Sequence, residues 1–90
     1  MIKESLRLST IVPGKLPRVT PKEGGYIRST GHYIPPGTVI SVSHYMVLHD
    51  ATIFTRPKEF LPERWLGDGK RLDKFLVCFS KGARACVGIK

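Results

Sequence analysis

The sequence predicts a small α+β chain with one short helix, a few short strands and much coil. Three observations predict it: a helix-spaced opening at residues 2–8, β-branched and aromatic stretches between residues 26 and 43, and seven prolines and nine glycines that interrupt the rest. Ninety residues make at most one domain. Hydrophobic residues are 41% of the chain, and with tyrosine left out and glycine counted the share is about 48%, ordinary globular usage, so disorder along the whole chain is not expected. A chain of this size buries only about 60–65% of its unfolded surface, so a cofactor, metal or partner is expected to add stability.

In chain order, residues 2–8 set Ile2 and Leu6 four apart with Glu4 and Arg7 three apart beside them, the spacing of a short helix. This helix is expected to begin ahead of Met1. Residues 9–25 hold Pro13, Pro17, Pro21 and three glycines and are expected to cross irregularly, without a packed element. Tyr26-Ile27-Arg28 and His32-Tyr33-Ile34 flank the turn Ser29-Thr30-Gly31 and read as a hairpin. Pro35-Pro36-Gly37 turns the chain again, into a third strand over residues 38–43. Residues 44–49 have room for about one helical turn. Phe54, Phe60 and Trp65 then punctuate a stretch broken by Pro57 and Pro62, an extended loop pinned by aromatic rings. Gly67-Asp68-Gly69 reads as a flexible exposed turn, residues 72–79 as apolar enough to be buried, and residues 80–85 as loop.

The net charge is +8. Residues 1–45 hold six basic and two acidic side chains, and residues 46–90 hold nine and five, so each half carries the same surplus of four and no basic arm stands apart. No nucleic-acid partner is expected on that ground. Locally, Lys70, Arg71, Lys74, Lys81, Arg84 and Lys90 face only Asp73, a surplus suited to an acidic partner or a bound anion. No apolar run approaches the roughly 18 residues of a spanning helix, and the start has no secretory pattern, so no membrane segment is expected in this chain. Two cysteines exclude a framework of several disulfides and a four-cysteine zinc site, and fit a reducing setting. Cys78, within Phe75-Leu76-Val77-Cys78-Phe79, reads as a small core residue. His32, His44 and His49 lack ligand-like mutual spacing and read as surface or packing residues.

The most specific string is Phe79-Ser80-Lys81-Gly82-Ala83-Arg84-Ala85-Cys86-Val87-Gly88, with Phe, Gly, Arg, Cys and Gly at spacings of three, two, two and two. It resembles the haem-binding loop of the cytochrome P450 monooxygenases. Two further strings follow that family's order: Glu4-Ser5-Leu6-Arg7 resembles its Glu-x-x-Arg helix, and Phe60-Leu61-Pro62-Glu63-Arg64-Trp65 its meander. Pro17-Arg18 and residues 49–54 also fit, so the resemblance covers essentially residues 1–90, as a partial cytochrome P450 domain.

The resemblance implies the C-terminal part of a mainly α fold, with a small β region, meander and Cys-ligand loop. It implies Cys86 as proximal ligand to the iron of haem b (iron protoporphyrin IX), because a thiolate pushes electron density onto iron and favours O–O cleavage. Phe79 would shield the sulfur, Gly82 permit the sharp turn and Gly88 allow close backbone approach. Arg84 and Arg18 would pair with the haem propionates. Glu4, Arg7 and Arg64 would form a buried charge network, net positive, whose remaining donors need backbone carbonyls.

The implied activity is insertion of one atom of dioxygen into a small organic substrate, with electrons from NADPH through NADPH-cytochrome P450 reductase docked at Lys70, Arg71, Lys74 and Lys81. A full-length eukaryotic parent would sit at the endoplasmic reticulum membrane; this chain, without the anchor, is expected in the cytoplasm. The distal helix and substrate pocket of the family have no counterpart here, so no substrate is read. The alternative is a non-catalytic haem- or reductase-binding fragment or truncated gene product.

Overall fold

Glu4 and Arg7, one helical turn apart, are fully buried in α1 (Ile2–Ser9), which appears in a computed structural model that describes residues 1–89. Lys90, counted in the charge surplus, lies outside the described residues. The helix is where the spacing places it, but its buried face is ionic: Ile2 is 78% exposed. Thr10, left-handed at φ 40°, ends the helix.

Residues 9–25 correct the sequence reading, because they contain a strand. The strand β1 (Arg18–Val19) pairs antiparallel with β4 (Val39–Ile40), Arg18 opposite Ile40 and Val19 opposite Val39. Two residues between Pro17 and Pro21 carry no period that could announce a strand; their partner lies twenty residues on. Thr20 pins the pair: its Oγ1 donates to Pro35 O at 2.6 Å and accepts from Thr38 N–H at 2.9 Å. Thr38 N–H also donates to Pro35 O at 3.3 Å across Pro36-Gly37, where Gly37 has φ +74°. This is the type II arrangement, proline then glycine.

The hairpin exists but is shorter than expected, its first strand starting one residue earlier and its second one residue later. Its strands are β2 (Gly25–Tyr26) and β3 (Tyr33–Ile34), paired Gly25 with Ile34 and Tyr26 with Tyr33. The third expected strand, over residues 38–43, is confined to β4, and the chain then enters α2 (His44–Leu48). Asp50 organises the next turn. Its carboxylate accepts from Thr52 Oγ1 at 2.6 Å and Thr52 N–H at 2.8 Å, which hold it below the usual carboxylate range. Its carbonyl accepts from Phe54 N–H at 2.8 Å, and Phe54 is driven fully inside.

The expected flexible turn at Gly67-Asp68-Gly69 is instead a junction between two short helices, α3 (Arg64–Gly67) and α4 (Gly69–Asp73), and Gly69 is buried. Asp68 serves both, its carbonyl taking Leu72 N–H at 3.0 Å. Leu72 is buried, while residues 75–79 are only half-buried. Two 3₁₀ turns, Gly82–Arg84 and Val87–Ile89, follow.

The apolar core among the described residues is Leu48, Phe54 and Leu72. Phe60, expected as an anchor, is 48% exposed. The radius of gyration, 15.0 Å, exceeds the roughly 12 Å of a compact 90-residue domain. Charged hydrogen bonding carries much of the internal organisation that apolar burial would ordinarily supply.

Candidate functional site

A recess of about 890 Å³ lies between the strand pairs and the Cys86 loop. Leu16, Ile27, Ile34, Ile40 and Val42 supply its apolar lining. Arg18, Lys81 and Arg84 supply its charge, and among the described residues no carboxylate lines it. Among the described residues none of these three cations is in an ion pair. Such a cavity falls in the size range of small-molecule sites, and its chemistry suits an occupant with an apolar body and anionic groups.

Of the residues singled out from the sequence, Arg18 and Arg84 line this recess; Cys86, Phe79, Gly82 and Gly88 do not. Arg18 is delivered by β1 and steadied by Nη1–H bonds to Leu16 O at 3.2 Å and Pro17 O at 2.9 Å. Arg84 is delivered by the 3₁₀ turn after Gly82, whose φ of +77° is a conformation glycine adopts without strain. The loop closes on itself through Cys86 N–H, which donates to Phe79 O at 2.8 Å. Cys86 is exposed and Cys78 half-buried, and burial pushes the Cys78 thiol up, away from thiolate formation. A Cβ on Gly88 would rest 3.7 Å from Cys86 Sγ, an ordinary contact, so no protein atom demands glycine there. No group of three His, Cys, Asp or Glu side chains that could hold a metal ion gathers among the described residues.

The lining has the chemistry that a flat macrocycle with two carboxylates, such as haem b, would need, apolar walls with guanidiniums, while the exposed Cys86 thiol lies outside that lining.

Glu4, Arg7 and Arg64, none of which lines the recess, come together. Arg7 uses all five of its N–H donors: Nε to Glu4 Oε2 at 3.0 Å, Nη2 to Glu4 Oε1 at 2.7 Å, and the rest to the carbonyls of Leu48, Pro57 and Glu59. Arg64 Nε donates to Glu4 Oε1 at 3.1 Å, and its other nitrogens reach Thr55 O and Arg56 O. Two partners carried no sequence signal: Trp65 Nε1–H, 2.8 Å from Glu4 Oε2, and Leu61 N–H, 3.1 Å from Oε1. Burial, the largest influence, pushes the Glu4 carboxyl up. The hydrogen bonds from Arg7, Leu61 and Trp65, with the Arg7 charge, outweigh it and hold the group at about 2.

The family model for cytochrome P450 matches residues 1–90. The chain belongs to the cytochrome P450 family. It is 56% identical over 88 residues to cytochrome P450 monooxygenase BOT1 of Botryotinia fuckeliana, covering 98% of this chain and 17% of that protein. To cytochrome P450 monooxygenase ankB of Aspergillus thermomutatus it is 53% identical over 89 residues, 98% of this chain and 17% of that protein. To cytochrome P450 monooxygenase asqL of Emericella nidulans it is 49% identical over 90 residues, 99% of this chain and 18% of that protein. The chain thus spans less than a fifth of the length of these P450 relatives. Within this P450 segment a few short helices frame two small antiparallel strand pairs. No described helix is long and apolar enough to cross a membrane.

Proposed function

We propose that residues 1–90 are the haem-binding, C-terminal part of a cytochrome P450 monooxygenase, with Cys86 as thiolate ligand to haem iron and Arg18 and Arg84 as partners of its carboxylates. The observation that carries this reading is the recess: apolar lining, three cations without an acid, and the cysteine loop contributing one wall. Haem bound there would supply dioxygen activation, one oxygen atom entering a small organic substrate and the other leaving as water. Gly82 turns the loop so that Arg84 enters the recess, and the Phe79 carbonyl fixes the backbone at Cys86. Glu4, Arg7 and Arg64 act as scaffold, tying α1 to the meander.

Electrons would come from NADPH through a flavoprotein reductase, docked at the basic surface of Lys70, Arg71, Lys74 and Lys81. Two of these cations already have partners on the chain: Arg71 pairs with Asp68 at 3.1 Å and Lys81 donates to Asp73 O at 3.2 Å. Lys70 and Lys74, the latter over the Phe75 ring at 5.0 Å, make no ion pair among the described residues and are the ones left to steer an acidic partner. The full-length parent would be held at the endoplasmic reticulum membrane. A second reading, a product that binds haem or reductase without turnover, is favoured by the three-residue apolar core among the described residues; turnover with reductase and substrate separates the two.

The test is a haem titration of the purified chain, reduced under carbon monoxide, beside Cys86→Ser. A red-shifted Soret band that vanishes in the variant supports the reading. A spectrum indifferent to Cys86 overturns it.

A further inference from the structure

We infer that His44 is a third hold on the anionic edge of the recess, its imidazole Nε2–H donating to a carboxylate of the bound macrocycle beside Arg18 and Arg84. The inference rests on the haem reading above and adds a positioning residue that none of the family strings contains.

Two buried side-chain polar atoms lack a hydrogen-bond partner among the described residues, Thr10 Oγ1 and His44 Nδ1. Of the two residues, His44 lines the recess. It opens α2 directly after Ser43, whose extended backbone (φ −75°, ψ 121°) carries the chain out of the β region. Val39, Ile40, Ser41 and Val42 line the same recess, so this stretch forms one continuous wall with the imidazole at its end.

Nδ1 is sealed inside the protein without an acceptor. A buried N–H left unpaired is the rarer and costlier defect; a buried lone pair is tolerated better. Nδ1 therefore serves as the lone-pair nitrogen, and the imidazole N–H sits on Nε2. With Nδ1 turned into the protein, Nε2 is the nitrogen left to meet an occupant.

The recess also has an acceptor surplus waiting for such a donor. Two carboxylates bring four oxygens. Arg18 already spends Nη1 on Leu16 O and Pro17 O, so it meets an occupant with part of its fork. No acid on the recess wall competes for the His44 proton. An imidazole N–H beside two guanidiniums adds a directional bond that would fix where a carboxylate sits.

The test titrates the full chain and its variants with two probes, haem and haem dimethyl ester, whose carboxylates are masked. The wild type is expected to prefer haem. His44→Leu should cut that preference about tenfold, the scale of one hydrogen bond to a charged group, while leaving ester binding unchanged. His44→Gln, which retains an amide N–H at similar reach, should keep most of the preference. Equal weakening of both probes by His44→Leu would mark a packing role and overturn the inference, as would no change with either. Arg84→Leu separates this from the underlying reading: if it too leaves the preference untouched, or the wild type shows none, the recess is not the haem site and both proposals fall together.

Discussion

The indole Nε1–H of half-buried Trp65 donates to the fully buried Glu4 Oε2 at 2.8 Å, joining residues 61 positions apart. It shares that oxygen with Arg7 Nε, whose guanidinium carbon lies 5.2 Å from the Phe54 ring centroid. Phe54 and Trp65 are themselves neighbours, with centroids 6.2 Å apart. Ionic and aromatic groups thus form one cluster, and it occupies the place where a larger domain would have an aliphatic core.

Trp65→Phe keeps an aromatic ring and removes the indole donor to a charged acceptor. It should destabilise the chain by about 1.5–3 kcal/mol. Urea denaturation gives the number, as a lower midpoint with unchanged slope. A shift under about 0.5 kcal/mol would mean that Leu61 and the arginines satisfy Glu4 without help.

Acid should weaken the fold through Glu4. The unfolded carboxyl takes its proton near 4.5, while the folded one holds out to about 2. Between those values the unfolded chain binds more protons, so stability rises with pH there. The contribution, on the order of 3 kcal/mol, is complete above about pH 5 and drains away as pH falls from 4.5 toward 2. Denaturation midpoints at pH 5 and pH 3 measure it, and in Glu4→Gln the same pH step should lose this component.

Exposure ranks the ion pairs. Glu4→Gln leaves two guanidiniums buried against one neutral amide and should cost about 3–5 kcal/mol. Lys3→Met breaks a 2.7 Å pair with Asp73 whose side chains are 48% and 45% exposed, and should cost less than about 1 kcal/mol, less again in high salt. Comparable losses from the two substitutions in paired melts would contradict the ranking.

Gly82→Ala and Gly88→Ala should differ. The first forces an L residue to φ +77° and should cost about 1–2 kcal/mol. The second meets an ordinary 3.7 Å contact and should leave the stability of the haem-free chain within about 0.5 kcal/mol. Thermal melts of both haem-free variants decide it; equal losses would show that the loop does not hold this backbone in solution.

Much was legible because its cause is local. The spacing of Glu4 and Arg7, the glycine in the Ser29-Thr30-Gly31 turn, the Pro36-Gly37 turn and the loop string ending at Gly88 are each defined within about ten residues. Those are distances over which backbone dihedrals and neighbouring side chains set the outcome. The strand Arg18–Val19 escaped because two residues carry no period, and the junction at Asp68 because paired glycines read as a turn until Leu72 is packed.

By itself, then, the sequence determined the family string, the turns and the charged pair on the first helix, all products of short-range geometry. Tertiary structure alone decided that Trp65 and Leu61 complete the shell of Glu4, that the carbonyls of Leu48, Pro57 and Glu59 absorb Arg7, and that Arg18, His44 and Arg84 share one recess. The reason is physical: a backbone carbonyl or amide is the same group at nearly every residue, so its choice as partner leaves no mark in the sequence. Only the packing of segments forty to sixty residues apart selects which ones meet.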